Sequence, residues 1–148
     1  MRALACLALL VTACGSQQEP KGPAPDNGSS ANRTATAEPT REQIEDAQAA
    51  AAALRIYYER LGRRDFRAAW EMRDQRPDFA AFERNFAAYE DYRATVGVPT
   101  VPVEDRGFVW VEVPVQLYGR WRGGAPFGSV GRVTLKRPAD GGEWKIAA

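Results

Sequence analysis

The sequence predicts an α+β fold for residues 40–148, with three helices followed by an antiparallel sheet of about four strands. Apolar residues recur every three or four positions between residues 44 and 89, which is typical of helices. The spacing then changes to strict alternation from Val109 to Leu117, which is typical of a strand. Glycine- and proline-rich turns separate the later segments, as expected for a meander of antiparallel strands.

The first helix is predicted to begin after Thr40, which stands three residues before Gln43 at the spacing of a capping box. One apolar stripe follows at helical spacing, and Gly62 is expected to end the helix. The stripe consists of Ile44, Ala47, Ala51, Leu54, Tyr58 and Leu61.

Two shorter helices are predicted after Asp65 and after Asp78, because each carboxylate can cap the helix that follows it. We interpret their apolar residues as core between helices and sheet, and keep a ligand-binding stripe as the alternative. The second helix would bury Phe66, Ala69 and Trp70, and the third would present Phe79, Phe82, Phe86 and Tyr89 on one face.

The strand from Phe108 to Tyr118 should bury its valines and turn Trp110, Glu112, Gln116 and Tyr118 outward, because side chains alternate along a strand. Pro114 lacks an N–H, so the strand should be an edge there or carry a bulge. Further strands are expected over Arg93 to Val98, around Val133 and Leu135, and at the end, where Trp144 and Ile146 share a face.

Residues 1–13 are typical of a secretory signal peptide. One positive charge, Arg2, precedes an apolar run that ends at Val11. This run is much shorter than the roughly 20 residues that a membrane-spanning helix needs. An ordinary cleaved signal with an incidental cysteine, or a buried N-terminal helix, is the alternative interpretation.

The stretch Val11-Thr12-Ala13-Cys14 resembles the lipobox of bacterial lipoproteins, where an aliphatic residue and two small ones precede the acylated cysteine. This resemblance implies that Cys14 is lipidated and becomes the first residue of the mature chain. Gly15 stands where an aspartate would imply retention in the inner membrane, so the resemblance favours an outer-membrane protein that faces the periplasm.

Residues 14–39 are predicted to form the lipidated cysteine and a disordered tether. From Gly15 to Pro39 there is no Val, Ile, Leu, Met or aromatic residue, so this segment cannot bury enough apolar surface to order itself. A flexible coil of this length has an r.m.s. span of about 25–30 Å. All 15 aromatic residues lie after Arg55, which places the packed domain at residues 40–148.

Composition argues against several kinds of partner and chemistry. Without residues 1–13 the chain has 19 basic and 19 acidic residues, so no basic surplus would attract nucleic acid. Its cysteines are Cys6 and Cys14, which leaves the domain without a disulfide. It has no histidine, the commonest general base and metal ligand. We therefore expect no cofactor and no metal.

The order of elements resembles that of the NTF2-like superfamily. YYERLGRRDFRAAWEM, residues 57–72, carries the likeness, since an aromatic-rich helix is followed by a tight turn and an Asp-aromatic helix start. The closing EWKIA is similar to the last strand of that family. The resemblance implies a cone, in which one long and two short helices lie in the hollow of a curved antiparallel sheet. Enzymes, transport factors and binding modules share this fold, so it does not select a function.

Enzymes of this superfamily, such as ketosteroid isomerases, dehydratases and epoxide hydrolases, place Asp, His or Tyr inside the cone. Here Asp65 and Asp78 are explained as caps, and Glu112 is expected to pair across strands with Arg132 or Lys136. We therefore assign no catalytic residue. The residues expected to line the cone are Tyr57, Tyr58, Trp70, Phe82, Phe86 and Trp144.

Two candidate binding regions remain. The cone is either filled or open to a small apolar ligand. Trp110, Gln116 and Tyr118 share the outer face of the sheet and are candidates for contact with an envelope protein or a second copy. The sequence thus favours a lipid-anchored, non-catalytic binding or accessory module. The alternatives are an enzyme acting on a small hydrophobic substrate in the cone and a structural envelope lipoprotein.

Overall fold

The computed structural model describes residues 38–147 and shows three helices followed by five antiparallel strands. The predicted α+β architecture is confirmed, with one short strand, β2, that the sequence pattern did not indicate. The signal peptide, Cys14 and the tether up to residue 37 lie outside the described residues. The elements are α1 (Arg41–Gly62), α2 (Phe66–Glu71), α3 (Phe79–Ala87), β1 (Tyr89–Val96), β2 (Val103–Asp105), β3 (Phe108–Trp121), β4 (Pro126–Pro138) and β5 (Lys145–Ile146).

The three helix starts are confirmed by their caps. Thr40 and Gln43 form both bonds of the capping box, at 3.2 Å and 2.9 Å. The carboxylates of Asp65 and Asp78 accept from backbone N–H groups three residues ahead, at 3.3 Å and 2.9 Å. Within residues 38–147, no helix is both long and apolar enough to cross a membrane.

The sheet has the order β1-β3-β4-β5, and β2 extends it by pairing with the first residues of β3. Strands β3 and β4 form a long hairpin, in register from Phe108 opposite Pro138 to Arg120 opposite Pro126. Strand β1 therefore lies at one edge of the sheet.

Pro114 lies in a central strand, but the pairing beside it is interrupted as its missing N–H requires. Strand β1 ends at Val96 opposite Val115, and the partner on that side resumes only at Val103, the start of β2. In the interval the carbonyl of Pro114 accepts from the backbone N–H of Gly97 at 2.8 Å. Since the N and C=O of a strand residue point the same way, the ring nitrogen of Pro114 faces this gap.

The valine face of β3 is the buried one, as predicted. Alternate residues of β3 lie under α1, and the side chains between them point away from the helices. The buried core contains Leu54, Tyr57, Tyr58, Leu61, Phe66, Phe82, Val111, Val113, Val115, Leu135 and Ile146.

Four local expectations were wrong. The strand expected over Arg93 to Val98 begins four residues earlier, since β1 covers Tyr89–Val96, and Val98 lies in the loop after it. Ile44 is 44% exposed, because it borders an open groove beside the start of α1 rather than the sheet. Tyr89 begins β1 instead of continuing α3, since Arg122 donates to the carbonyls of Ala87 and Ala88 and holds the helix end there. Trp70 is half-buried, not buried, and packs between α2 and α3 at the surface.

Candidate functional site

The six residues expected to line the cone do not surround one common cavity. Tyr57, Tyr58 and Phe82 are buried in the core, where the Tyr57 and Tyr58 rings meet edge to face at 5.2 Å. Phe86 is half-buried and packs on Phe82 with ring centroids 4.8 Å apart. These four side chains fill the space between α1, α3 and the sheet.

The two tryptophans of that set lie at the rim of the core. Trp70 donates its indole N–H to the carbonyl of Pro77 at 2.8 Å, and the guanidinium groups of Arg67 and Arg76 lie over its ring. Trp144 is half-buried with Arg137 5.6 Å from its ring centre. Each ring thus packs beneath an arginine at the domain surface, where cation–π contact stabilises it.

A cation lies beside the buried phenols. Arg73 donates from Nη1 to the hydroxyl of Tyr57 at 3.3 Å, and its buried Nε has no hydrogen-bond partner. Burial raises the pKa of Tyr57, although the bond and charge of Arg73 oppose this. Burial, helped by Tyr57, raises the pKa of Tyr58 to about 12, and burial raises the pKa of Tyr92 as well. At neutral pH this part of the core therefore offers neutral phenols and one guanidinium.

Three carboxylates close to the sheet are held in ion pairs. Glu112 meets Arg132 at 3.2 Å, as predicted, whereas Lys136 pairs with Asp74 at 2.8 Å instead. Asp46 binds Arg137 on β4. In the part of the chain that the structure describes, no three or more His, Cys, Asp or Glu residues are grouped to hold a metal ion.

The outer face of the sheet carries the predicted contact residues in two different settings. Trp110 is half-buried, because its indole N–H donates to the carbonyl of Asp105 at 3.3 Å and Lys136 lies 5.3 Å from its ring centre. Gln116 and Tyr118 are exposed, Tyr118 by 40%. The outer face thus has Lys136 beside Trp110 and the exposed Arg93 opposite Tyr118.

The region around Tyr118, here called the outer patch, consists of Thr95, Gln116, Tyr118 and Val130, and it borders Arg93. The register aligns Gln116 with Thr95 on one side and with Val130 on the other. Val130 is 80% exposed. Sequence reasoning missed Thr95 and Val130, although the alternation that buries Leu135 would have turned Val130 outward.

An open groove lies between the last turns of α1 and the edge strand β1. This groove of about 640 Å³ includes Tyr58, which is the one predicted cone residue that borders it. Its charged side chains, Arg55, Glu59, Arg63, Asp91 and Arg93, come from both elements. Sequence reasoning missed this groove, because it depends on how a helix crosses a sheet edge.

Comparison with known proteins gives a likeness of fold. No family model matches the chain, and no curated protein matches it. Among solved structures, the chain is similar to a candidate dehydratase of the NTF2-like family from Streptomyces avermitilis. The two share 16% identity over 69% of this chain and 91% of that chain, with a TM-score of 0.49. The helix and sheet order described above is the one that the NTF2-like resemblance implies.

Proposed function

We propose that the chain is a lipid-anchored, non-catalytic binding module. Cys14 would attach it to the periplasmic side of the outer membrane. The outer patch would bind an envelope protein or a second copy of the domain.

The exposure of Val130 is the observation that carries the binding role. A valine that is 80% exposed stands on the outer face of the sheet, on the part of β4 that β5 does not cover, and no helix of residues 38–147 packs over that face. Tyr118 lies beside it, and tyrosine is among the residues enriched at protein interfaces. The four members of the patch are uncharged, and Arg93, which lies opposite Tyr118 on β1 and pairs with Asp91, adds a cation at its margin.

The positions of the carboxylates support a non-catalytic role. A general acid or base must reach a substrate in an accessible site. Asp65 and Asp78 are committed to helix caps, and Asp46, Asp74 and Glu112 are committed to ion pairs. In the groove beside β1, Asp91 pairs with Arg93, and Glu59 lies near Arg55 and Arg63, outside the core between helices and sheet. The phenols of the core keep raised pKa values and are packed against one another.

Photo-cross-linking in intact cells tests the binding role. A photoreactive amino acid at position 118 should capture a defined partner, and Val130→Ser should reduce that capture. Ile56→Ser is the matched control, because Ile56 is a 45% exposed aliphatic residue on α1, away from the sheet face. The proposal would be overturned if position 118 captured nothing, or if both substitutions had the same effect.

Intact mass of the membrane-extracted protein tests the anchor. The mature chain should begin at Cys14 and carry acyl groups, and Cys14→Ser should release it from membranes. An unacylated chain that begins elsewhere would overturn this part of the proposal while leaving the cross-linking result to stand alone.

A further inference from the structure

The domain has an apolar surface at the end where the tether enters it. Val98 is 85% exposed, and Ile44 and Val101 are 44% and 46% exposed. These three residues border a shallow groove of about 210 Å³ with Pro39. We call these four residues the tether-end surface.

The exposed valines are held in place by the fold. The backbone N–H of Gly97 donates to the carbonyl of Pro114 at 2.8 Å, and that of Thr100 donates to the carbonyl of Glu112 at 2.9 Å. In return, the hydroxyl of Thr100 accepts from the N–H of Glu112 at 3.0 Å. The loop of residues 97–102 is thus bound to β3 and exposes Val98 and Val101 to water. Aliphatic side chains that are held together in water in this way indicate a contact surface.

The position of Pro39 identifies what this surface faces. Pro39 directly precedes the N-cap Thr40, so the segment that leads back to Cys14 leaves the domain beside the groove. Helix α1 extends from this end for 22 residues, about 33 Å, to its other end at Gly62. A lipid on Cys14 would therefore attach the domain to the bilayer at this end, whereas the far end of α1 lies about 33 Å from the attachment point.

We propose that the tether-end surface rests on the membrane, with Ile44, Val98 and Val101 at the boundary between headgroups and acyl chains. This inference depends on the proposed lipidation of Cys14. Burial of apolar side chains at this depth strengthens the membrane binding that an acyl anchor provides. The charged residues close in sequence are Glu38, Arg41, Glu42, Glu45, Glu104, Asp105 and Arg106, and they give no basic surplus. The contact therefore needs no anionic lipid and persists at high salt.

A thiol probe can locate the domain on a vesicle. The two cysteines of the chain are Cys6, in the predicted signal, and Cys14, whose thiol carries the predicted lipid. A Val98→Cys substitution in the lipidated protein therefore supplies one labelling site for an environment-sensitive fluorophore. Val130→Cys is the matched control, since Val130 is an equally exposed valine on the outer patch.

The labelled proteins are reconstituted in phosphatidylethanolamine–phosphatidylcholine vesicles that contain headgroup-region spin-labelled lipid. We expect quenching at position 98 to be at least about twofold greater than at position 130, and unchanged by added salt. Equal, water-like emission at both positions in acylated, vesicle-bound protein would overturn the inference and leave the anchor intact. Protein that lacks acyl groups by mass would instead show that the proposed anchor is wrong.

A second copy of the domain could also cover the tether-end surface, and one measurement distinguishes such a dimer contact from contact with the membrane. If the probe at position 98 shifts to the blue as soluble Cys14→Ser protein is concentrated without vesicles, the surface is a dimer contact. That result would overturn the membrane assignment. Because Val98 is 85% exposed, the substitution should leave the unfolding midpoint unchanged, which circular dichroism verifies.

Discussion

Arg137 on β4 binds Asp46 on α1 through two of its side-chain nitrogens, although the two residues are 91 positions apart in the sequence. Its Nη2 lies 2.7 Å and 2.8 Å from the two carboxylate oxygens, and its Nε lies 3.2 Å from one of them. The two side chains are only 14% and 20% exposed. This forked, charge-assisted pair fixes the first helix to the last long strand.

Replacing Asp46 with Asn should lower the free energy of unfolding by about 1.5–3 kcal/mol, the usual worth of hydrogen bonds to charged groups. The loss is expected because Arg137 would remain shielded from water without its carboxylate. Urea unfolding followed by circular dichroism measures it. Glu45→Gln is the control, since the neighbouring pair of Glu45 and Arg41 is 63% and 92% exposed and should change stability by less than about 0.5 kcal/mol.

Gly119→Ala should be among the most damaging single substitutions in the hairpin. Gly119 has a φ of +154°, and an added Cβ would lie 2.1 Å from the carbonyl oxygen of Asp91 on β1. We expect a loss of about 3 kcal/mol or more, because backbone must move to relieve this contact. Gly128→Ala is the control, because a Cβ added there would lie 3.9 Å from its nearest atom, the carbonyl oxygen of Leu117. Similar losses of stability in the two variants would contradict this explanation.

Stability should fall as the pH rises above 10. The unfolded phenol has a pKa near 10.0, whereas burial raises the pKa of folded Tyr58 to about 12. Between these values the unfolded chain releases the proton and the native chain keeps it, so deprotonation favours unfolding. A pKa difference of two corresponds to about 3 kcal/mol of stability, which is fully present below pH 10 and lost as the pH approaches 12.

Tyr58→Phe should flatten this dependence in denaturant titrations at several pH values, because the titrating hydroxyl is gone. An unchanged slope in that variant would assign the effect to other groups, such as Tyr92, whose pKa is also raised by burial. Because the chain has no histidine, stability should be nearly constant between about pH 6 and 9.

Removing residues 1–37 should leave the unfolding midpoint within error, because this segment after the predicted signal has no large apolar residue to add to a core. Thr40→Ala in the shortened chain should lower stability by about 1 kcal/mol, since it removes half of the capping box. Loss of cooperative unfolding in the shortened chain alone would place the domain boundary before residue 38.

Elements that depend on local chemistry could be predicted from the sequence. Thr40, Asp65 and Asp78 mark helix starts because a cap needs only residues three positions away. The face of β3 also followed from alternation, since uniform valines must lie on the side that is covered.

Features that depend on distant partners could not be predicted in the same way. The stripe of α1 includes Ile44, but periodicity does not show whether anything packs over each position, and there the neighbour is an open loop. Strand β2 has three exposed residues and exists only because β3 offers it a free edge. The outer patch and the tether-end surface likewise combine residues from separate strands and loops.

The last strand has a consequence for the order in which the chain folds. Ile146 exchanges backbone bonds with Met72 and Asp74, and Leu135 and Ile146 complete the core under α1. A chain that is made N-terminus first therefore lacks these partners until residue 146 has been added. We therefore expect the segment between α2 and α3, which Ile146 binds through Met72 and Asp74, to reach its final position only after β5 has formed.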